Sequence, residues 1–386
     1  MRVLIAPDSF KGSLTSVAVA RALAEGWGRA RPDDDLHLVP LADGGEGTLD
    51  ALLAAGGWQA LPAAAQDALG RPVQARFLRD DRGLGRAVVE LAAASGLSLV
   101  APEDRDALAA STFGTGQVLA AAIGLGCREI LLGVGGSATT DGGAGLLTAL
   151  GARFLDAAGT EVPPGGVGLE RLARVDLDDL SPALAEVSLT IASDVSNPLL
   201  GEHGAAATYG PQKGASPDDV RRLDRALTRY ADVLEATTGR VVRDVPGAGA
   251  AGGTTAGLLA IAERFASLGV RPGVGEVMGL ARFEAALHHS DLVLTGEGRV
   301  DAQTRFGKTA QGVAERARAA GVPCLCFGGG VTPEGAAVLA AAGAIAVPVV
   351  EAPTSVEAAM AAGPGPVERA AERTARLVGL VGRLDR

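Results

Sequence analysis

Three lysines stand apart in a chain whose other 32 basic residues are arginine: Lys11 in "FKGS", Lys213 in "PQKGA" and Lys308 in "FGKTA". Each has a glycine directly beside it, in a segment that does not read as a helix face. An ammonium is a compact, flexible point charge, whereas a guanidinium is a broad planar fork. The smaller head group suits a tight, glycine-lined pocket that grips a phosphate. Acidic residues form the complementary set. Asp43, Glu46, Asp141, Asp194, Glu297 and Asp301 all fall in loops rich in small residues, where a ligand could reach them. Any one alone reads as an Asx-turn or a helix cap. Together they outnumber what turns require. Phosphoryl transfer asks for such a set: metal ligands, a base that orients the acceptor, and cations on the moving charge. Magnesium in particular prefers one or two carboxylates plus substrate oxygens.

The stretch "GVGGSATTDGGAG" (133–145) carries six glycines in thirteen residues, between the strand "REILL" and the helix "LLTALGA". Glycine lets backbone N–H groups approach an anion closely, and a helix N-terminus adds a favourable dipole. Gly133, Gly135 and Ala138 also satisfy G-x-G-x-x-[GA], with Asp156 about twenty residues on, as a dinucleotide fold requires. That match is partial. Gly142 and Gly143 postpone the helix, and "ARFLDAAGTEV" reads as a hairpin rather than a second parallel strand. "FGKTA" likewise falls short of a P-loop, because Ala302 stands where its first glycine belongs. Further on, "SDVSNPLLG" sets Asp194 and Asn197 after the strand "VSLTIA", and "GAAATYGPQKGA" follows with Thr208 and Lys213.

The elements that position these residues alternate. "RVLIAP" is a short buried strand, "TSVAVARALAEGWGRA" a helix capped by Thr15 or Ser16, "DLHLVPLA" a strand and "GTLDALLAAGG" a helix. The C-terminal part repeats the grammar with "DLVLTGEG", "GKTAQGVAERARAAG", "PCLCFGGG", "PEGAAVLAAAG" and "AIAVPVV". Buried apolar strands alternating with helices predict a parallel sheet covered on both faces. The middle carries its own strands and helices and reads as a second α/β domain inserted into the first. The expected division is 1–62 with 288–386 for a discontinuous Rossmann-like domain and 63–287 for the insertion; two sequential domains split near 150 are the alternative. Ligands bind outside the carboxyl ends of strands in open parallel sheets. Four loops follow such ends: Asp8, Ser9 and Lys11; Asp43 to Glu46; Glu297, Arg299 and Asp301; and Gly328 to Gly330.

At 386 residues, two domains are the expectation. Apolar residues make up 47% and aromatics only 3%, so Ala, Leu and Val must fill the cores. A net charge of −10 without a basic stripe argues against nucleic acid. Three cysteines without zinc spacing fit reduced core thiols. No apolar run reaches membrane-spanning length, and the N-terminal apolar stretch is too short for a signal peptide. A soluble cytoplasmic protein, monomer or homodimer, is expected.

Six segments in this order, "APDSFKGSLTS", "PLADGGEGT", "GVGGSATTDGGAG", "SDVSNPLLG", "ATYGPQKGA" and "TGEGRVDAQTRFGKTAQGVA", resemble the type I glycerate kinases from residue 3 to about 350. The resemblance implies ATP-dependent, magnesium-assisted phosphorylation of D-glycerate, mostly to 2-phosphoglycerate, with 3-phosphoglycerate described for some members. It implies two α/β domains, one of them discontinuous, with the active site between them. Asp8, Ser9, Lys11, Asp43, Glu46, Asp194, Glu297, Arg299, Asp301 and Lys308 match the family motifs.

The roles follow from charge. Lys11, Arg299 and Lys308 are candidates for the negative charges of substrate and γ-phosphate, and Asp43 or Asp194 for taking the hydroxyl proton. Asp8, Ser9, Gly44, Gly45 and Asn197 are candidate substrate contacts. Gly135, Gly136, Ser137, Thr139, Thr140 and Lys213 are candidate nucleotide contacts, and Glu46 and Asp301 candidate metal ligands. Two rival readings are an NAD(P)-dependent oxidoreductase, resting on Gly133, Gly135, Ala138 and Asp156, and a non-catalytic sugar-acid sensor. The carboxylate-rich loops count against the sensor, since a binder of an anion gains nothing from nearby negative charge.

Overall fold

The structure, a computed structural model, describes residues 1–305 and 309–384. The strands in chain order are β1 (Arg2–Ile5), β2 (Asp35–Leu38), β3 (Trp58–Gln66), β4 (Pro72–Asp80), β5 (Arg86–Glu90), β6 (Glu129–Gly133), β7 (Arg153–Leu155), β8 (Arg174–Asp176), β9 (Ser188–Ala192), β10 (Ser267–Arg271), β11 (Leu292–Val300), β12 (Cys324–Val331) and β13 (Ala344–Pro348). Contacts divide the chain into two units. Unit 1 holds residues 1–43, 50–56 and 274–386, and unit 2 holds 44–49 and 57–273. Both are α/β with parallel pairing.

Unit 1 is a five-stranded sheet in the order β13-β12-β11-β1-β2, parallel throughout. The chain steps outward from β1 to β2 on one side and from β11 through β12 to β13 on the other. The direction of winding therefore reverses between β1 and β11, where an open α/β sheet leaves a crevice at its carboxyl end. Val3, Ile5, Leu294 and Phe327 of the strands pack with Val19, Leu23 and Trp27 of helix Ser16–Ala30, all buried. That helix starts where the sequence predicts: Thr15 Oγ1 accepts from the Ala18 amide and satisfies one of the orphan donors of the first turn.

Two strands run farther than expected. β11 continues through Gly296–Val300 and β12 through Gly328–Val331, paired with each other in register. Glu297 and Gly328 to Gly330 fall within the strands "DLVLTGEG" and "PCLCFGGG" read from sequence rather than in the loops after them, and Arg299, beyond the first of these, is a strand residue as well. Glycine weakens a strand on its own, but here it is what allows close passage. A Cβ on Gly329 would stand 2.4 Å from the Gly298 carbonyl oxygen, and one on Gly298 only 3.1 Å from Phe10 Cα.

Unit 2 is a six-stranded sheet in the order β10-β9-β6-β5-β4-β3. β5, β6, β9 and β10 pair in parallel, while β3 and β4 add an antiparallel margin. Its core is assembled around Phe77, Leu132, Ile191, Leu227 and Tyr230. β7 and β8 form a separate antiparallel pair. No helix among the described residues is long and apolar enough to cross a membrane.

Candidate active site

In unit 1 the turn after β1 runs alongside β11. The Ala6 amide donates to the Leu294 carbonyl and the Asp8 amide to the Gly296 carbonyl, at 2.7 and 2.8 Å. The stretch after β2 follows on the other side, with Leu41 N–H on the Pro7 carbonyl. These ladders deliver three carboxylates, Asp8, Asp43 and Glu297, to the carboxyl end of the sheet where its winding reverses. Asp8 accepts from the Ser9 amide at 2.6 Å and from the Thr309 hydroxyl at 2.5 Å. The Thr304 hydroxyl donates to Glu297 at 2.5 Å. Burial pushes the Asp8 carboxyl up to about 7, the charges of Asp43 and Glu297 add to the rise, and the two hydrogen bonds oppose it.

The neighbouring cations are open to solvent. Lys11 is exposed, and its amide lies 3.2 Å from where a Cβ on Gly298 would stand, so the turn carrying it is seated directly on β11. Arg299 is exposed and pairs through Nε with Asp301 Oδ2 at 2.9 Å. Lys308 lies outside the described residues.

In unit 2 the glycine-rich loop after β6 meets the segment 44–46 backbone to backbone. A Cβ on Gly133 would stand 2.4 Å from the Gly44 carbonyl oxygen, and one on Gly135 would stand 2.6 Å from Gly45 Cα. Gly136 lies against Glu46, which is exposed. Gly44 has φ +86°, and a Cβ there would strike the Ala192 side chain at the end of β9. The next loop presents Asp194, whose Oδ1 accepts from the Gly273 amide at 3.0 Å. Asn197 is engaged within its own loop: Nδ2 donates to the His203 carbonyl and Thr208 Oγ1, and Oδ1 accepts from the Tyr209 hydroxyl.

The rest of the glycine-rich loop is sunk. Ser137, Thr139 and Thr140 are buried, and Lys213 comes in behind them at 2% exposure. Lys213 Nζ donates to Ser137 Oγ at 2.9 Å and to the Thr139 carbonyl at 2.5 Å. Burial lowers its ammonium to about 7 against the pull of Asp141. Asp141 is not ligand-accessible, contrary to its reading as a loop carboxylate. It is fully buried, and its oxygens accept from the amides of Thr112, Gly143 and Gly145 and from the hydroxyls of Ser111 and Thr112. It is the pin that fixes the start of helix Ala144–Ala149.

The dinucleotide fingerprint fails on geometry. Asp156 closes its own turn, accepting from the Ala158 and Thr160 amides and pairing with Arg171. The strand before it, β7, pairs antiparallel with β8. No helix opens within the Gly133–Ala138 pattern, because the next one begins at Ala144.

Glu90 carries no local sequence signal, while Thr304 and Thr309 lie within the motif "TGEGRVDAQTRFGKTAQGVA" without a role assigned from sequence. Glu90 is buried at the end of β5 and accepts from the amides of Gly47 and Leu49, 3.1 Å each. It satisfies donors at the start of helix Thr48–Ala55, next to Glu46.

A model of the glycerate kinase family matches residues 3–379. The chain is 45% identical over 328 residues to the glycerate kinase of Halalkalibacterium halodurans, covering 85% of each chain. It is 42% identical over 332 residues to the glycerate 2-kinase of Escherichia coli, covering 86% of each. Among solved structures, a crystal structure assigned to glycerate kinase 2 of Salmonella typhimurium aligns with a TM-score of 0.83 at 39% identity, covering 99% of both chains.

Proposed function

The chain belongs to the glycerate kinase family, and from that membership we propose that it phosphorylates D-glycerate with ATP, giving 2-phosphoglycerate. The observation that supports this reading most is the carboxylate group of Asp8, Asp43 and Glu297 at the reversal point of the five-stranded sheet, beside the turn that carries Lys11.

In this reading a glycerate hydroxyl oxygen attacks the γ-phosphorus of ATP. The new O–P bond forms as the bridging P–O bond to ADP breaks, and the hydroxyl proton passes to a carboxylate, Asp43 or Asp194. Lys11, Arg299 and Lys308 meet the negative charges of the glycerate carboxylate and the moving phosphoryl group. Such preorganised cations act on charge that develops in the transition state. Asp8, Ser9, Gly44 and Gly45 contact the acid, and Asn197 shapes the loop that presents Asp194. Gly135 and Gly136, the accessible part of the glycine-rich loop, hold nucleotide phosphates through backbone N–H groups with the Ser137 hydroxyl beside them, while Thr139 and Thr140, expected as contacts, lie buried beneath.

Magnesium keeps several waters and binds through one or two carboxylates and substrate phosphates, with no need of a protein cage. Among the described residues no three acidic, histidine or cysteine side chains form such a cage. Glu46, exposed, and Asp301, half-buried and paired with Arg299, are oxygen donors of the kind that requirement asks for and would hold the ion. Bound there, it would offset the charge of the nucleotide phosphates.

The test is the product of ATP, magnesium and D-glycerate, read by proton-coupled phosphorus NMR. A 2-phosphate ester couples to one proton and gives a doublet, which is the expected result. A triplet would move the reaction to the 3-hydroxyl, and no new ester signal would refute the activity.

A further inference from the structure

Resting on the reading of the glycine-rich loop as a phosphate holder, we propose that Lys213 is a positioning residue. It stands behind that loop, lends it positive charge and turns the Ser137 hydroxyl proton toward the phosphates of the nucleotide.

The geometry carries this in three steps. First, an ammonium has three donors and no acceptor. Ser137 Oγ, 2.9 Å from Nζ, therefore accepts from Lys213, and its own proton must leave in another direction. A serine held in this way is a fixed donor. Second, the other partner of Nζ is the Thr139 carbonyl. The ammonium is thereby tied to the loop's backbone two residues beyond Ser137 and lies directly beneath its accessible glycines. Third, among the described residues Lys213 forms no ion pair. The oxygens of Asp141, the carboxylate whose charge acts on it, are occupied by three amides and two hydroxyls. A buried cation without a dedicated counter-ion is unfavourable, and burial does lower its affinity for a proton. An anion bound on the far side of the loop supplies the missing charge.

The primary test compares Lys213→Met, Ser137→Ala and the double variant by steady-state kinetics. Each single change is expected to raise KM for ATP about tenfold while KM for D-glycerate stays within twofold, and the double variant is expected to add little to the larger single effect. A structural defect would move both KM values together. If Ser137→Ala raises KM for ATP and a folded Lys213→Met does not, the role of Lys213 is overturned while the loop reading stands. If neither changes it, the loop reading falls and this proposal with it. Should Lys213→Met fail to fold, the wild-type chain still decides the matter. With three lysines in the chain, lysine labelled at Cε gives three signals, assigned with Lys11→Arg and Lys308→Arg. Saturation with ADP is expected to raise the titration midpoint of Lys213 by about one pH unit. An unmoved midpoint overturns the proposal.

Discussion

The hydroxyl of Thr309 donates to the carboxylate of Asp8 across 2.5 Å and 301 positions of chain. It is the first residue of helix Thr309–Ala319, and the bond ties that helix to the turn after β1. It also holds Asp8 in place beside Asp43 and Glu297, two charges that disfavour its ionised form.

That conflict has a sign. The Asp8 carboxyl is raised from 3.8 to about 7 in the fold, so between those values the folded chain holds a proton that the unfolded chain has released. Its contribution to stability is complete below pH 3.8 and is lost as pH rises through about 7. Asp8→Asn removes the charge and keeps the shape. The variant is expected to melt above the parent at pH 8, with the gap closing toward pH 4, and to lose at least about tenfold in kcat. Calorimetry across pH checks the first, and identical melting profiles would contradict it.

Lys11→Ala and Asp194→Asn are each expected to lower kcat by two decades or more, on the scale of about 3 kcal/mol for one preorganised charge contact. Both side chains are exposed, so neither change opens a core. Asn at 194 retains an oxygen for the Gly273 amide, which separates charge from loop shape. Circular dichroism should match the parent; near-normal turnover would remove the residue from the mechanism.

Glu90→Ala leaves the amides of Gly47 and Leu49 without their acceptor in a buried place. A loss of about 1–3 kcal/mol in urea unfolding is expected. Glu90→Gln, which keeps one carbonyl oxygen, should lose less. Equal effects of the two substitutions would show that side-chain volume, not hydrogen bonding, is what Glu90 contributes.

Gly298→Ala sets a methyl group against Phe10 Cα and the Lys11 amide at 3.1 and 3.2 Å, tighter than ordinary contact. The turn must yield by a few tenths of an ångström. A drop in kcat of about tenfold is expected, since such shifts act strongly on reacting groups, with a small change in melting temperature. Unchanged kinetics would separate the Lys11 turn from the chemistry.

The sequence is informative where its signals are local. Thr15 before an amphipathic run marks the start of the first helix, and apolar triplets such as "VLI" and "ILL" lie in the strands they resemble. It misleads where partners decide. "GEGRV" reads as a loop by propensity, yet it continues β11 because "GGGV" of β12 lies alongside to pair with it. Asp141 looks accessible among its glycines, but Ser111 and Thr112, thirty residues earlier by chain, close over it. Glu90 carries no signal for the same reason, and the motif that contains Thr304 and Thr309 does not name their partners Glu297 and Asp8. Their roles depend on neighbours that only the folded topology supplies.

The central position of β1 shapes the order in which the protein can be made. Residues 2–5 leave the ribosome long before one of their two neighbouring strands, residues 292–300, which is synthesised nearly three hundred residues later. All the strands of unit 2 have emerged by then. The nascent chain must therefore carry its first strand with one edge uncovered while the second unit is already complete. Such an edge is a pairing hazard, and chaperone demand during translation should fall once residue 300 has cleared the exit tunnel.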